Sequence, residues 1–212
     1  MNKYRLVIWD IDGTLLDTHK GVSTALRYAL KQFNISKTEA EIMAMVHTPK
    51  IKEAFIEIAG MDESVAEQAT DIFRTRYKEA DLFKASVYEG ILDVLETIKA
   101  RGIPQAIATN KRQDYATEIC YHFGLDRYCH PIVGGDRYNQ RTKADLIQDC
   151  LNELSLVPSP EIVFIGDMPA DREAAQTVGI DFIGVNYGFG FRNGAEYANS
   201  PEEILKKLDE NT

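Results

Sequence analysis

Leu6-Val7-Ile8-Trp9-Asp10-Ile11-Asp12-Gly13-Thr14-Leu15-Leu16-Asp17-Thr18 is the stretch from which the rest of the chain is read. Its first four residues are apolar without a break, the pattern of a strand buried on both faces. With Tyr4 and Arg5 in front, a strand is expected over 4–9. Two carboxylates follow, two positions apart. Side chains alternate along an extended chain, so Asp10 and Asp12 are expected on the same side. Gly13 supplies the backbone freedom for a sharp exit from the sheet. Two acids crowded at a strand end repel each other, and a bound cation offsets that repulsion.

After Thr18 the periodicity changes to that of helices. Val22, Ala25, Leu26, Ala29, Leu30 and Phe33 fall at i, i+3, i+4 spacing. Thr38-x-x-Glu41 has the form of a capping box and opens a second helix. His47-Thr48-Pro49 interrupts it, a third helix runs to Gly60, and Asp62 opens a fourth. From about residue 83 the pattern alternates. Expected helices near 88–101, 113–123, 143–153 and 170–178 separate expected strands at 103–108, 131–133, 161–165 and 180–185. Ser200-Pro201 opens a last helix. Strands separated by helices indicate a parallel, doubly wound α/β sheet. The first strand finds its partners only beyond residue 102, so the helical block is an insertion. The expected division is a Rossmann-like core of residues 1–16 and 83–212, with a helical cap domain over 17–82.

The 212 residues suffice for a large domain with an insert, and 44% apolar with 27% charged content is ordinary for a globular chain. No stretch approaches the roughly 20 apolar residues of a membrane-spanning helix. No signal-peptide pattern precedes the first strand. A cytoplasmic protein with no membrane partner is expected. The formal charge of −9 argues against nucleic acid, which selects basic patches. A small anionic substrate remains compatible, because a local cation inverts the sign of a pocket. Cys120, Cys129 and Cys150 are odd in number, show no C-x-x-C spacing, and read as free thiols. The sequence does not set the oligomeric state.

In open parallel sheets, ligands sit beyond the carboxyl ends of the strands, at the switch point. The expected strands end in Asp10-Ile11-Asp12, in Thr109-Asn110-Lys111 and in Gly166-Asp167-Met168-Pro169-Ala170-Asp171, and Lys143 opens a helix on the same rim. Carboxylate oxygens with water suit Mg²⁺. Mg²⁺ in turn suits phosphoryl chemistry, in which a carboxylate such as Asp10 acts as nucleophile. Asp12 is placed to protonate a leaving oxygen and later to activate water. Lys143 would neutralise nucleophile and phosphoryl group, and Thr109, with Asn110 as a further candidate, would hold phosphoryl oxygens. Lys111 and Arg141 are nearby competitors for the charge role.

These residues resemble the haloacid dehalogenase-like hydrolases. Asp10-x-Asp12-Gly13-Thr14-Leu15 is similar to their first motif, Thr109-Asn110 to their second, Lys143 to their third and Gly166-Asp167-x-x-x-Asp171 to their fourth. The helical insert after the first motif resembles the small four-helix cap of the phosphoglycolate phosphatase-like branch. The resemblance implies sheet order 5-4-1-2-3. It also implies Mg²⁺ held by the Asp10 carboxylate, the Asp12 backbone carbonyl and Asp167, with Asp171 close behind or acting through water. Two departures stand out: Ala144 follows Lys143 where the family often has proline, and Met168 replaces the commoner threonine. Members that act as true dehalogenases usually lack the acid at position 12, so Asp12 favours phosphoryl transfer.

The expected function is a Mg²⁺-dependent phosphatase of a small phosphorylated metabolite. Asp10 would be phosphorylated and then hydrolysed, and the cap would exclude water and select the leaving group. His47 stands where family members carry a specificity loop and is a candidate substrate contact. The Tyr187-Gly188-Phe189-Gly190 stretch reads as a tight turn or a phosphate cradle, and Trp9 as a core residue. The main alternative is a phosphomutase using the same motifs. A phosphonate hydrolase would need a cap lysine, for which Lys50 and Lys52 are candidates by position only. A non-catalytic phosphate-binding relative is a further rival. A receiver domain shares the acid pocket but needs only about 120 residues and no insert.

Overall fold

The computed structural model describes residues 3–48, 50–136, 140–191, 194 and 196–210. The chain divides into two compact units, one of Met1–Asp17 with Ser86–Thr212 and one of Thr18–Ala85.

The first unit is built on β1 (Leu6–Trp9), whose four side chains are fully buried. That burial is what an unbroken apolar run requires, and it makes β1 the central strand. β1 pairs in parallel with β4 (Gln105–Arg112) on one side and β6 (Ile162–Gly166) on the other, with Ile8 opposite both Ala106 and Phe164. β5 (Ile132–Gly135) and β7 (Asp181–Gly184) complete the sheet in the order β5-β4-β1-β6-β7. The numbering skips because a two-strand ribbon, β2 (Leu16–Asp17) against β3 (Ser86–Val87), intervenes in the chain. Counted along the five sheet strands alone and read from the β7 edge, the order is 5-4-1-2-3. The ribbon is too short to leave a periodic signal in the sequence. It pairs the residues at which the second unit departs and returns.

On one face of the sheet, Leu6, Ile8, Ala106, Ala108 and Phe164 pack with Leu146, Ile147, Cys150 and Leu151 of α7 (Lys143–Glu153) and Ala174 and Ala175 of α8 (Pro169–Val178). Helices α5 (Ile91–Ala100), α6 (Gln113–Phe123) and α9 (Pro201–Glu210) complete the unit. Trp9 is the core residue the sequence suggests. Its indole N–H donates to Gln105 Oε1 at 3.1 Å, and the Gln105 amide donates to the Leu95 carbonyl at 2.9 Å. An indole is buried at low cost when its N–H finds such a partner.

The second unit holds α1 (His19–Gln32), α2 (Glu39–Val46), α3 (Ile51–Glu57), α4 (Glu63–Arg76) and a π-helical turn over Tyr77–Asp81. The capping box forms as the sequence suggests. Thr38 Oγ1 accepts from the Glu41 N–H at 3.3 Å, and Glu41 Oε2 accepts from the Thr38 N–H at 2.8 Å. Asp62 and Thr18 stand at their N-cap positions without a side-chain capping bond. Among the described residues, no helix is long and apolar enough to cross a membrane.

Candidate active site

Asp10 follows β1 directly, with its N–H donating to the Ile165 carbonyl at 2.9 Å. The chain then curls instead of staying extended. The N–H groups of Leu15 and Leu16 turn back to the Ile11 carbonyl, and the Gly13 N–H donates to Leu16 O at 2.9 Å. Gly13 sits at φ +79°, and a Cβ there would lie 2.7 Å from Asp167 Cγ. Glycine is therefore required both for the backbone and for the approach of Asp167.

Asp167 follows β6, and Asp171 lies in the first turn of α8, where its Oδ2 accepts from the Met168 N–H at 3.1 Å. Lys143 is the first residue of α7. A reciprocal pair fixes that helix start: Thr142 Oγ1 accepts from the Asp145 N–H at 3.2 Å, and Asp145 Oδ2 accepts from the Thr142 N–H at 2.8 Å. The Lys143 ammonium then lies 2.8 Å from Asp10 Oδ1 and 3.0 Å from Asp171 Oδ1.

Asp10, Asp167 and Asp171 are all buried, and each presents a carboxylate oxygen within 4.8 Å of the others. Three carboxylates face one ammonium. Like charges at such separation repel by about 4 kcal/mol per pair at an effective dielectric of about 20. Burial pushes the Asp10 carboxyl up to about 6; Asp171 and Asp12 push the same way, and the Lys143 ammonium opposes them. Burial likewise raises Asp167 to about 8, reinforced by Asp10 and Asp171 and opposed by the Phe189 N–H and Lys143. Burial disfavours the charge of Lys143, yet Asp10 and Asp171 outweigh it and hold the ammonium above its ordinary range. The cluster carries excess negative charge in a dry setting and offers hard oxygen donors. A divalent cation such as Mg²⁺ fits both properties.

Asp12 does not join this group. Asp12 lies beyond the start of the turn that follows β1, and its charge still pushes the Asp10 carboxyl up. Asp12 Oδ1 instead lies 3.1 Å from the Lys111 ammonium, with the Asp12 side chain 31% exposed. Asp171, expected behind the others, belongs to the carboxylate trio. Thr109 is buried at the site end of β4, with its Oγ1 accepting from the Lys111 N–H at 3.2 Å. Asn110 beside it is exposed. His47 ends α2 in the second unit and is half-buried, and Pro49 lies outside the described residues.

Several groups here carry no side-chain signature in the sequence. Asp167 is held at both oxygens: the Thr14 hydroxyl donates to Oδ1 at 3.3 Å and the Phe189 N–H donates to Oδ2 at 2.6 Å. The Phe191 N–H donates to the Asp167 carbonyl at 3.0 Å, and the Tyr187 hydroxyl to the Thr14 carbonyl at 3.0 Å. A Cβ at Gly188 would overlap the Gly13 carbonyl and come within 2.6 Å of Asp167 Cβ. The 187–191 loop is thus a tight turn that grips the loop after β6. The glycine spacing at 188 and 190 was the one available sign of it.

Comparison with known proteins agrees with this arrangement. The model of the haloacid dehalogenase-like hydrolase family matches residues 7–185. The chain is 32% identical over 189 residues to the 5'-nucleotidase of Pseudomonas aeruginosa, spanning 89% of this chain and 85% of that protein. It is 30% identical to the tyrosine-protein kinase PtkA of Mycobacterium tuberculosis, over 88% of this chain and 63% of PtkA, so it spans less than two thirds of that protein's length. It is also 26% identical to the phosphoglycolate phosphatase of Pseudomonas syringae pv. tomato, over 87% and 70% of the two chains. Among solved structures, that of "a predicted phosphatase" from Clostridium acetobutylicum superposes with a TM-score of 0.89 at 33% identity, covering 98% of this chain and 99% of that one. The four motifs, the sheet order that gathers them and these matches together mean that the chain belongs to the haloacid dehalogenase-like hydrolase family.

Proposed function

We propose that this protein is a Mg²⁺-dependent phosphatase of small phosphorylated metabolites. The observation that carries the proposal is the buried trio Asp10, Asp167 and Asp171, with the Lys143 ammonium 2.8 Å from Asp10. Asp10, Asp167 and Asp171, with the Asp12 backbone carbonyl, would hold the ion. Bound there, it would shield the negative charge that keeps a carboxylate away from a phosphate.

The chain's own residues perform the transfer. An Asp10 carboxylate oxygen attacks phosphorus, the bond to the leaving oxygen breaks, and Asp12 gives that oxygen its proton. Asp12 then takes a proton from a water molecule, which attacks the phosphorus of the Asp10 acyl phosphate. Inorganic phosphate leaves and the Asp10 carboxylate is restored. Lys143 keeps Asp10 in place and offsets charge on the phosphoryl group. Thr109 and Asn110 hold its outer oxygens. The Thr18–Ala85 segment, inserted directly after the first motif, is proposed as a cap that sets substrate choice. His47 is proposed as a substrate contact in it, tested by a rise in KM at constant kcat in His47→Ala. These two assignments rest on chain order.

The names of two relatives supply the first substrates to try, phosphoglycolate and nucleoside 5'-monophosphates. The test is a Mg²⁺-supported screen of phosphorylated metabolites that measures kcat/KM for released phosphate. The expected result is a preferred phosphomonoester whose turnover is lost with chelator and in Asp10→Asn. Near-wild-type turnover in Asp10→Asn would contradict the mechanism. Isomerised sugar phosphate in place of free phosphate would point to the mutase outcome.

A further inference from the structure

We propose that Lys111 is a positioning residue whose ammonium fixes the Asp12 carboxylate for proton transfer to the leaving oxygen. This inference rests on the phosphatase reading above. The two site lysines then divide the work. Lys143 lies against Asp10 and Asp171, and Lys111 lies 3.1 Å from Asp12 Oδ1.

Three observations carry it. The Lys111 side chain is only 5% exposed, although its partner carboxylate is 31% exposed. Burying an ammonium costs several kcal/mol before any pairing repays it, and an apolar side chain would occupy the place without that cost. The second observation is how Lys111 reaches the site. Thr109 pairs with Gly134 and Arg112 with Gly135, so β4 advances three residues while β5 advances one. Asn110 and Lys111 are the surplus, looped out of register within β4 just after Thr109. The third is the space made for that loop. A Cβ at Gly134 would lie 2.7 Å from the Lys111 carbonyl, and one at Gly135 would lie 2.8 Å from the Asn110 carbonyl. Two consecutive glycines on β5 thus accommodate the bulge that delivers one lysine to one acid. Bulges of this kind re-aim side chains next to active sites.

A proton donor matters in proportion to how poor the leaving group is. p-Nitrophenolate leaves without a proton, whereas the alkoxide of phosphoglycolate or of a nucleoside monophosphate does not. The quantity to compare is kcat/KM, which reports the steps up to departure of the leaving group. The experiment measures it for p-nitrophenyl phosphate and for whichever of phosphoglycolate or AMP the wild type turns over faster. It uses wild type, Lys111→Met, Asp12→Asn and the double variant, with folding checked by circular dichroism and Tm. Lys111→Met is expected to lose at least about tenfold more on the alkyl phosphate than on p-nitrophenyl phosphate, a fraction of the 10²–10⁴ that general acids supply. In the Asp12→Asn background, Lys111→Met is expected to add little further loss, the non-additivity of a coupled pair. Equal losses on both substrates would place the ammonium on the phosphoryl group and overturn the inference. A KM change alone, or no change at all, would also overturn it. If Lys111→Met does not fold, Lys111→Gln carries the same comparison. A wild type that releases phosphate from neither substrate overturns the phosphatase reading itself, an outcome distinct from the others.

Discussion

Asp10 and Asp12 are separated by one isoleucine, yet they differ in burial and in partner. Asp10 is buried against two other carboxylates and one lysine, and its carboxyl is raised to about 6. Asp12 is 31% exposed and faces a different lysine. Between them begins the turn over 11–16, in which the Leu15 and Leu16 N–H groups bond back to the Ile11 carbonyl. The difference teaches how one short stretch supplies two chemistries. The buried acid sits among excess negative charge, which suits the nucleophile proposed for Asp10. The partly exposed acid is open to solvent, as the acid–base role proposed for Asp12 requires.

The largest effect expected is that of Asp10→Asn. Turnover should fall by at least about 10⁴-fold, as for other nucleophile deletions. Tm should hold or rise, because one member of a like-charge trio is neutralised. A fall in Tm with residual activity would mean that Asp10 is a structural partner of Lys143. Asp12→Asn should lower kcat/KM for alkyl phosphates by about 10²–10⁴-fold, without weakening Mg²⁺-induced stabilisation. If it abolishes that stabilisation, the two acids are not divided as described.

Gly188→Ala should raise the Mg²⁺ concentration for half-saturation by about 10- to 100-fold, the usual cost of disturbing groups that orient a metal ligand. The change displaces the loop whose Phe189 N–H holds Asp167. Fluorescence of Trp9, the single tryptophan and the neighbour of Asp10, reports the titration without turnover. An unchanged midpoint would show the loop to be mere packing.

The smallest effect is on stability. In chelator, the folded protein binds protons at Asp10 and Asp167 more tightly than the unfolded chain, whose carboxyls titrate near 3.9. Stability from these groups is therefore highest at acid pH and falls as pH rises through about 6 and on toward about 8. Mg²⁺ at about 100 times its Kd should restore roughly 2.7 kcal/mol at neutral pH. Asp10→Asn should remove the lower part of the pH-dependent fall, and Asp12→Asn should leave it intact. Urea titrations across pH read both.

Much of this is legible in the amino-acid sequence. The unbroken apolar run at 6–9 marks a central strand, because only a strand covered on both faces tolerates it. The alternation beyond residue 102 supplies parallel partners, and Thr38-x-x-Glu41 gives its helix start. Asp10, Asp167, Asp171 and Lys143 gather because strand ends and helix starts of a parallel sheet share one rim. Other features were not legible. The turn that follows Trp9, and the Asp12–Lys111 pair beside it, leave no periodic mark. The Phe189 donor is a backbone N–H, which every residue but proline carries. The direction of Lys111 depends on a bulge, and a register shift leaves no mark beyond the neighbouring Gly134-Gly135.

The central claim is that phosphorus is transferred to Asp10. Asp12→Asn with p-nitrophenyl phosphate and Mg²⁺ tests it most directly, because the leaving group needs no proton and the water that follows lacks its base. Rapid acid quench and peptide mass spectrometry should find a hydroxylamine-sensitive phosphoryl group on the peptide containing Asp10, formed at the rate of p-nitrophenolate release. Release of p-nitrophenolate with no phosphoryl group on the protein, or with one on any other residue, would contradict the account.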